Sequence, residues 1–177
     1  MNHDLVRRFL LDGTAVRGEI VSLDECWRQV AARHDLPRIA LETLGELAAA
    51  AVLLSATLKF DGSLILQIHG DGPIALMVVE CRSDGRLRAT VKVREGRVIP
   101  SDATLNQLVN LEGRGRFAVT LDPNLRNEGR EPWQGIVPLE GDTVAQVLEH
   151  YMQRSEQLPT RLWLAAGPGR ASGLLLQ

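Results

Sequence analysis

Few residues in this sequence stand where chemistry would need them. Ser55 sits in a strongly apolar run, but a nucleophilic serine needs a base within hydrogen-bond reach and a third group to orient that base, and the sequence assigns it neither. The four histidines, His3, His34, His69 and His150, are dispersed and read as surface or packing residues. Cys26 and Cys81 are the only two cysteines, with no C-x-x-C pair and no Cys/His cluster. Two cysteines alone cannot supply the four ligands of a structural zinc site, so no metal is expected on this chain. Neither has a local activating group, so both read as small packing residues, and a disulfide between them stays open. Gly113-Arg114-Gly115 has no helix after it and Gly167-Pro168-Gly169 runs into a strand, so neither cradles phosphate.

The bulk properties narrow the function further. The 177 residues carry 20 basic and 22 acidic side chains, a net charge of -2, and only seven aromatics (three Trp, one Tyr, three Phe). That balance offers no basic patch for phosphates and little for base stacking, so no nucleic-acid partner is expected. All the basic residues but Lys59 and Lys92 are arginines, which read as a solvated surface. The longest unbroken apolar run, Leu47 to Leu54, is far shorter than the roughly 20 residues that a membrane span needs, so no membrane partner is expected. No export signal is visible between Met1 and Leu11, and the expected compartment is a reducing cytoplasm. The length suits one domain over residues 1–177.

The elements follow from periodicity and punctuation. Residues 4 to 11 read as a short entry helix, and 15 to 21 alternate as a half-buried strand. Ser22 or Asp24 offers an N-cap for a helix from about Glu25 to His34 that puts Trp27, Val30 and Ala31 on one face. The segment from Ala40 to Lys59 is the strongest local signal. Leu44, Leu47 and Leu54 lie in one helical stripe with Val52, while Ala49, Ala50, Leu53 and Ala56 make the opposite face apolar too. A helix apolar all round must be buried all round, so sheets are expected on both sides of it.

Asp61-Gly62, Asp71-Gly72 and Asp84-Gly85 then punctuate three strand-length runs, Leu64 to His69, Ile74 to Glu80 and Leu87 to Val93. Asp-Gly suits tight turns, so the region reads as an antiparallel meander. Its first two strands are apolar on both faces, so each face calls for a cover. Further on come a short helix at Leu105 to Val109 capped by Ser101 or Asp102, a strand at Phe117 to Leu121 and an exposed loop from Asp122 to Pro132. A strand at Trp133 to Leu139 follows, then a helix opened by Thr143 and Gln146 as a capping box, and strands at Arg161 to Ala166 and Gly173 to Leu176. The fold class is α+β: a β/α/β sandwich of mostly antiparallel sheets around the apolar helix of about residues 40–59, with peripheral helices. A sheet face without a cover binds something apolar. A small enzyme or a module for one defined partner are the rival classes.

Several segments resemble one family. They are ATLKFDG at 56–62, QIHGDGP at 67–73, LEGDT at 139–143 and RSEQLPTR at 154–161, with AVRGEIV at 15–21 and GLLLQ at 173–177. Together they resemble the redox-regulated thirty-three-kilodalton heat-shock chaperones of bacteria, almost end to end. The resemblance implies a holdase that works without ATP, binding unfolding proteins under heat and oxidative stress. It implies the N-terminal, client-binding domain of that family, a β/α/β sandwich around a buried helix. Family members continue into a linker and a C-terminal switch of four cysteines that bind zinc when reduced. Neither Cys26 nor Cys81 matches that switch, so zinc is expected only in a C-terminal domain beyond Gln177. Unfolded clients and a second copy of the chain are the partners implied, the dimer forming through an exposed sheet or by exchange of the C-terminal segment. Ile65, Met77 and Val79 are the candidate client-binding residues if they face outward. The alternation leaves open whether they or their neighbours pack on the helix.

Overall fold

The computed structural model describes residues 4–59, 61–124 and 131–177. At its centre is helix α2 (Arg38–Thr57). It begins directly after Pro37, whose fixed φ suits a helix N-terminus, and stops where Leu58 turns extended. Leu44, Leu47, Ala48, Ala49, Ala50, Ala51 and Leu53 are fully buried, so the helix is enclosed around its circumference. Leu54 is buried and Val52 only half-buried. Thr43 Oγ1 donates to the Ile39 carbonyl and Thr57 Oγ1 to the Leu54 carbonyl, so neither hydroxyl is stranded. By length and composition α2 is apolar enough to cross a membrane, but here its walls are protein.

Two antiparallel sheets supply those walls. One has four strands in the order β1 (Leu5–Leu10), β2 (Arg17–Leu23), β9 (Arg170–Leu176), β8 (Arg161–Gly167). The other has five, β5 (Leu87–Val93), β4 (Ile74–Arg82), β3 (Gly62–His69), β6 (Arg116–Pro123), β7 (Trp133–Val137). Val21, Leu162, Ala171 and Leu175 are buried on the inner face of the first sheet, and Leu64, Leu66, Ile68, Met77, Val79 and Phe117 on that of the second. Helices α1 (Glu25–Ala31) and α4 (Val144–Arg154) complete the middle layer, and α3 (Leu105–Val109) lies by the β3–β4 turn. The expected β/α/β sandwich and the Asp-Gly meander are both present. A Cβ on Gly45 would lie 2.5 Å from the Ala166 Cβ and 2.9 Å from the Trp27 ring, so α2 meets β8 at a distance that only glycine permits.

Three local expectations are corrected. Residues 4–11 do not form a helix; Leu5–Leu10 is the edge strand β1, paired along β2. An edge strand is solvated on several sides, so its sequence lacks clean alternation. Arg8 reaches across from β1 to the buried Glu19 carboxylate at 2.9 Å and to the Ala56 carbonyl at the C-terminal end of α2. Asp24 does not cap α1 through its own carboxylate. Asp4 does so from twenty residues away, accepting from the Asp24 and Cys26 amides at 2.6 and 3.0 Å, while Asp24 holds the Arg170 guanidinium at 2.5 and 3.1 Å. α3 is capped by Thr104, which forms a capping box with Gln107, rather than by Ser101 or Asp102. Thr143 caps α4 as its sequence suggests. Of the expected loop from Asp122 to Pro132, residues 125–130 lie outside the described residues, and 122–123 extend β6.

One position on the outer edge of β8 is taken: the Leu162 amide donates to Glu149 of α4 at 2.7 Å. At the other end of the strand, Gly167 pairs with Arg170 of β9, and its carbonyl also accepts from the Trp27 indole at 2.7 Å.

Glu46 projects from α2 into a small cleft with Glu42, Asp142 and Leu105. Burial first, and then the neighbouring Glu42 carboxylate, push its pKa up from 4.5 to about 7. A carboxyl raised in the fold stabilises it most below its ordinary value and loses that contribution as pH rises towards about 7. Glu46→Gln is expected to be more stable than the parent by about 1–3 kcal/mol above pH 7. The difference should close below pH 4.5, as checked by urea unfolding at a series of pH values. An unchanged gap across that range would contradict the assignment.

Candidate functional site

The chemistry-bearing residues do not converge. Ser55 lies beside the Cys81 thiol, not beside a histidine. His34 Nδ1 contacts the Val30 carbonyl, His150 Nδ1 the Glu140 carbonyl and His69 the Gln67 amide, so the three described histidines are in three different places. His3 lies outside the described residues. Both cysteines are free thiols. Burial pushes the Cys26 thiol up to about 11, with the Asp4 carboxylate adding to the effect, and burial raises Cys81 as well. A raised pKa starves a cysteine of thiolate, the reactive form. Among the described residues, no cluster of three or more His, Cys, Asp or Glu side chains could hold a metal.

The surfaces are more informative than the titratable groups. On the five-stranded sheet, Ile65 faces outward, but Met77 and Val79 are fully buried against α2, so only one of the three candidate residues lies on the open side. Register explains the parity. Ile65 lies opposite Glu80, and Gln67 opposite Val78, which places Leu76, Val78 and Glu80 on the outer face and Met77, Val79 and Cys81 on the inner one. That outer face is a mixture. Leu76 is flanked across the strands by His69 and Lys92, Val78 by Gln67 and Thr90, and Ile65 by Glu80 and Thr120. Each apolar side chain lies between polar ones, whose stems screen it from water, and Ile65, Leu76 and Val78 are half-buried as a result.

The four-stranded sheet differs. Its outer face carries a continuous apolar row: Ile20 of β2 lies opposite Leu174 of β9, which lies opposite Trp163 of β8. In the next row, Leu176 neighbours Gly18, and the Phe9 ring lies over that glycine, 2.2 Å from where a Cβ would be. Ile20 is 43% exposed and Trp163 53% exposed, so no other described element covers them. Ile20, Trp163, Ala165 and Leu174 edge a shallow hollow of about 350 Å³. Sequence reasoning passed over these residues, although the signal was of the kind noted in the meander. Leu162-Trp163-Leu164 and Leu174-Leu175-Leu176 are also apolar on both faces, and only one face of each can meet α2.

A buried apolar helix thus lies between two sheets, one of them with an open apolar face. The family model described as Hsp33 protein matches residues 4–177, and the chain belongs to that family. It is 51% identical over 177 residues to the 33 kDa chaperonin of Chromobacterium violaceum, covering 99% of this chain and 58% of that protein. It is 47% identical to the 33 kDa chaperonin of Methylobacillus flagellatus, covering 98% of this chain and 57% of that one. The crystal structure of the 33 kDa chaperonin of Thermotoga maritima superposes with a TM-score of 0.80 at 25% identity, covering 99% of this chain and 61% of that one. The chain thus spans rather more than half the length of these relatives.

If Ile20 and Trp163 form the main open apolar surface, replacing both with arginine should lower the fluorescence of an added apolar-surface dye by at least half. The melting temperature should stay within a few degrees, because surface substitutions are usually within about 0.5 kcal/mol. Dye fluorescence beside thermal unfolding checks this. An unchanged dye signal in a folded variant would move the open surface elsewhere.

Proposed function

We propose that this chain is the client-binding part of a holdase chaperone that captures unfolding proteins without ATP under heat and oxidative stress. The observation that carries the reading is the uncovered row of Ile20, Leu174 and Trp163 on the four-stranded sheet. An apolar face of this kind is costly in water and marks a binding surface. Membership of a family whose relatives are named 33 kDa chaperonins supports the same reading. Contact through side chains on a sheet face is non-directional and suits clients without a shared sequence.

Control by oxidation, in this proposal, belongs to a zinc-binding cluster of four cysteines in the part of the longer relatives beyond this match. Cys26 and Cys81, with raised pKa values, do not serve it. We further propose a cytoplasmic location and a homodimer. β9 lies in the middle of its sheet, between β2 and β8, so exchange of this C-terminal segment between two copies would preserve both pairings. A strictly monomeric mass by light scattering at high concentration would overturn the dimer.

The chain is expected to suppress the light scattering of a thermally unfolding client without ATP, equally with and without reductant. Trp163→Glu should lose more than half of that suppression and Ile65→Glu much less. Full suppression by a folded Ile20→Glu/Trp163→Glu double variant would overturn the assignment of the face.

A further inference from the structure

Where the inner face of the five-stranded sheet runs out from under α2, a groove of about 260 Å³ stays open. Leu54, Leu64, Val119 and Met152 form its apolar floor. Trp133, Leu158 and Leu58, at 48%, 41% and 38% exposure, are its lips. The groove is on the opposite side of the four-stranded sheet from Trp163, since its floor comes from the layer that Trp163 faces away from. An apolar cavity of about 150 Å³ holds one benzene ring. This groove therefore has room for one tryptophan or two smaller apolar side chains.

Two charges line the same groove. Arg17 donates from Nε and a terminal nitrogen to the Gln177 side-chain oxygen, at 3.2 and 2.7 Å, an acceptor with no charge. Glu156 accepts from the Tyr151 hydroxyl at 2.9 Å. Burial and the Glu156 carboxylate push the Tyr151 pKa up, so the phenol keeps its proton and holds the carboxylate at the groove wall. Among the described residues, neither Arg17 nor Glu156 is in an ion pair, whereas Arg8, Arg28, Arg38 and Arg170 all are. One cation and one anion, neither of them ion-paired among the described residues, thus border an apolar floor.

We propose that this groove docks an unfolded polypeptide segment through one large apolar side chain that has an acidic and a basic residue close to it in sequence. The inference rests on the client-binding reading and adds a discrete anchor to the broad sheet face. The charges select this occupant. A fatty acid or detergent brings an apolar tail with one sign of charge, and leaves the other groove charge without a countercharge. A polypeptide brings both signs and an apolar anchor together.

The test uses short unstructured peptides with a central tryptophan flanked by Glu and Lys, by two Lys or by two Glu, read by fluorescence anisotropy at low salt. The Glu/Lys peptide should bind about two- to fivefold more tightly than the other two, as exposed ion pairs allow. Its advantage should shrink at high salt. Arg17→Glu makes both groove charges negative and should move the preference to the Lys/Lys peptide. Glu156→Lys should move it to the Glu/Glu peptide. Arg17→Gln and Glu156→Gln, which disturb the fold least, should each reduce the discrimination. The same flank preference in the parent and all four folded variants would overturn the groove, as would tighter binding of decanoate than of any peptide. Aggregation suppression that persists in the parent while the peptides show no preference would overturn the groove alone and leave the sheet-face reading standing.

Discussion

The structure depends on one requirement: a twenty-residue helix whose charged side is confined to Arg38, Glu42 and Glu46 in its first half must be kept from water along the rest of its surface. Each fully buried leucine contributes about 1.5–3 kcal/mol, which makes α2 the largest single source of cohesion and also its most demanding element. The run Ala48 to Ala51 keeps the helix slim where the sheets close on it. Gly45 lets β8 and Trp27 come closer still. Both sheets spend one face on this helix, so whatever the domain does for other molecules falls to the outer faces, edges and openings.

The two sheets meet that situation differently. On the five-stranded sheet, lysine, arginine, glutamine and glutamate alternate with the outward apolar residues and screen them. On the four-stranded sheet, the cross-strand neighbours of Leu174 are Ile20 and Trp163, so apolar groups adjoin apolar groups. Composition along single strands hardly differs between the two sheets. Pairing across strands sets the difference.

That distinction also explains what was legible in the sequence. Leu44, Leu47 and Leu54 identify α2 because helical periodicity is a local property, and the Asp-Gly turns reveal the meander for the same reason. The face assignment of Ile65, Met77 and Val79 was not legible. A strand apolar on both sides gives no parity, and register with Glu80 and Val78 decides it. The α1 cap was hidden for a related reason. Asp4 and the amide of Asp24 meet only because β1 lies beside β2, and nothing near residue 24 announces it. Likewise, the apolar row on the four-stranded sheet joins residues 20, 163 and 174, which come together only in the folded sheet.

The contact between Glu149 and the Leu162 amide has a consequence for how far β8 could be extended. In its register with β9, the backbone groups of Leu162, Leu164 and Ala166 point away from the sheet. The first of these amides is already held by a side chain of α4. A strand laid along that edge would find its free rungs only from residue 164 onward, so the fringe of the sheet is shortened rather than sealed.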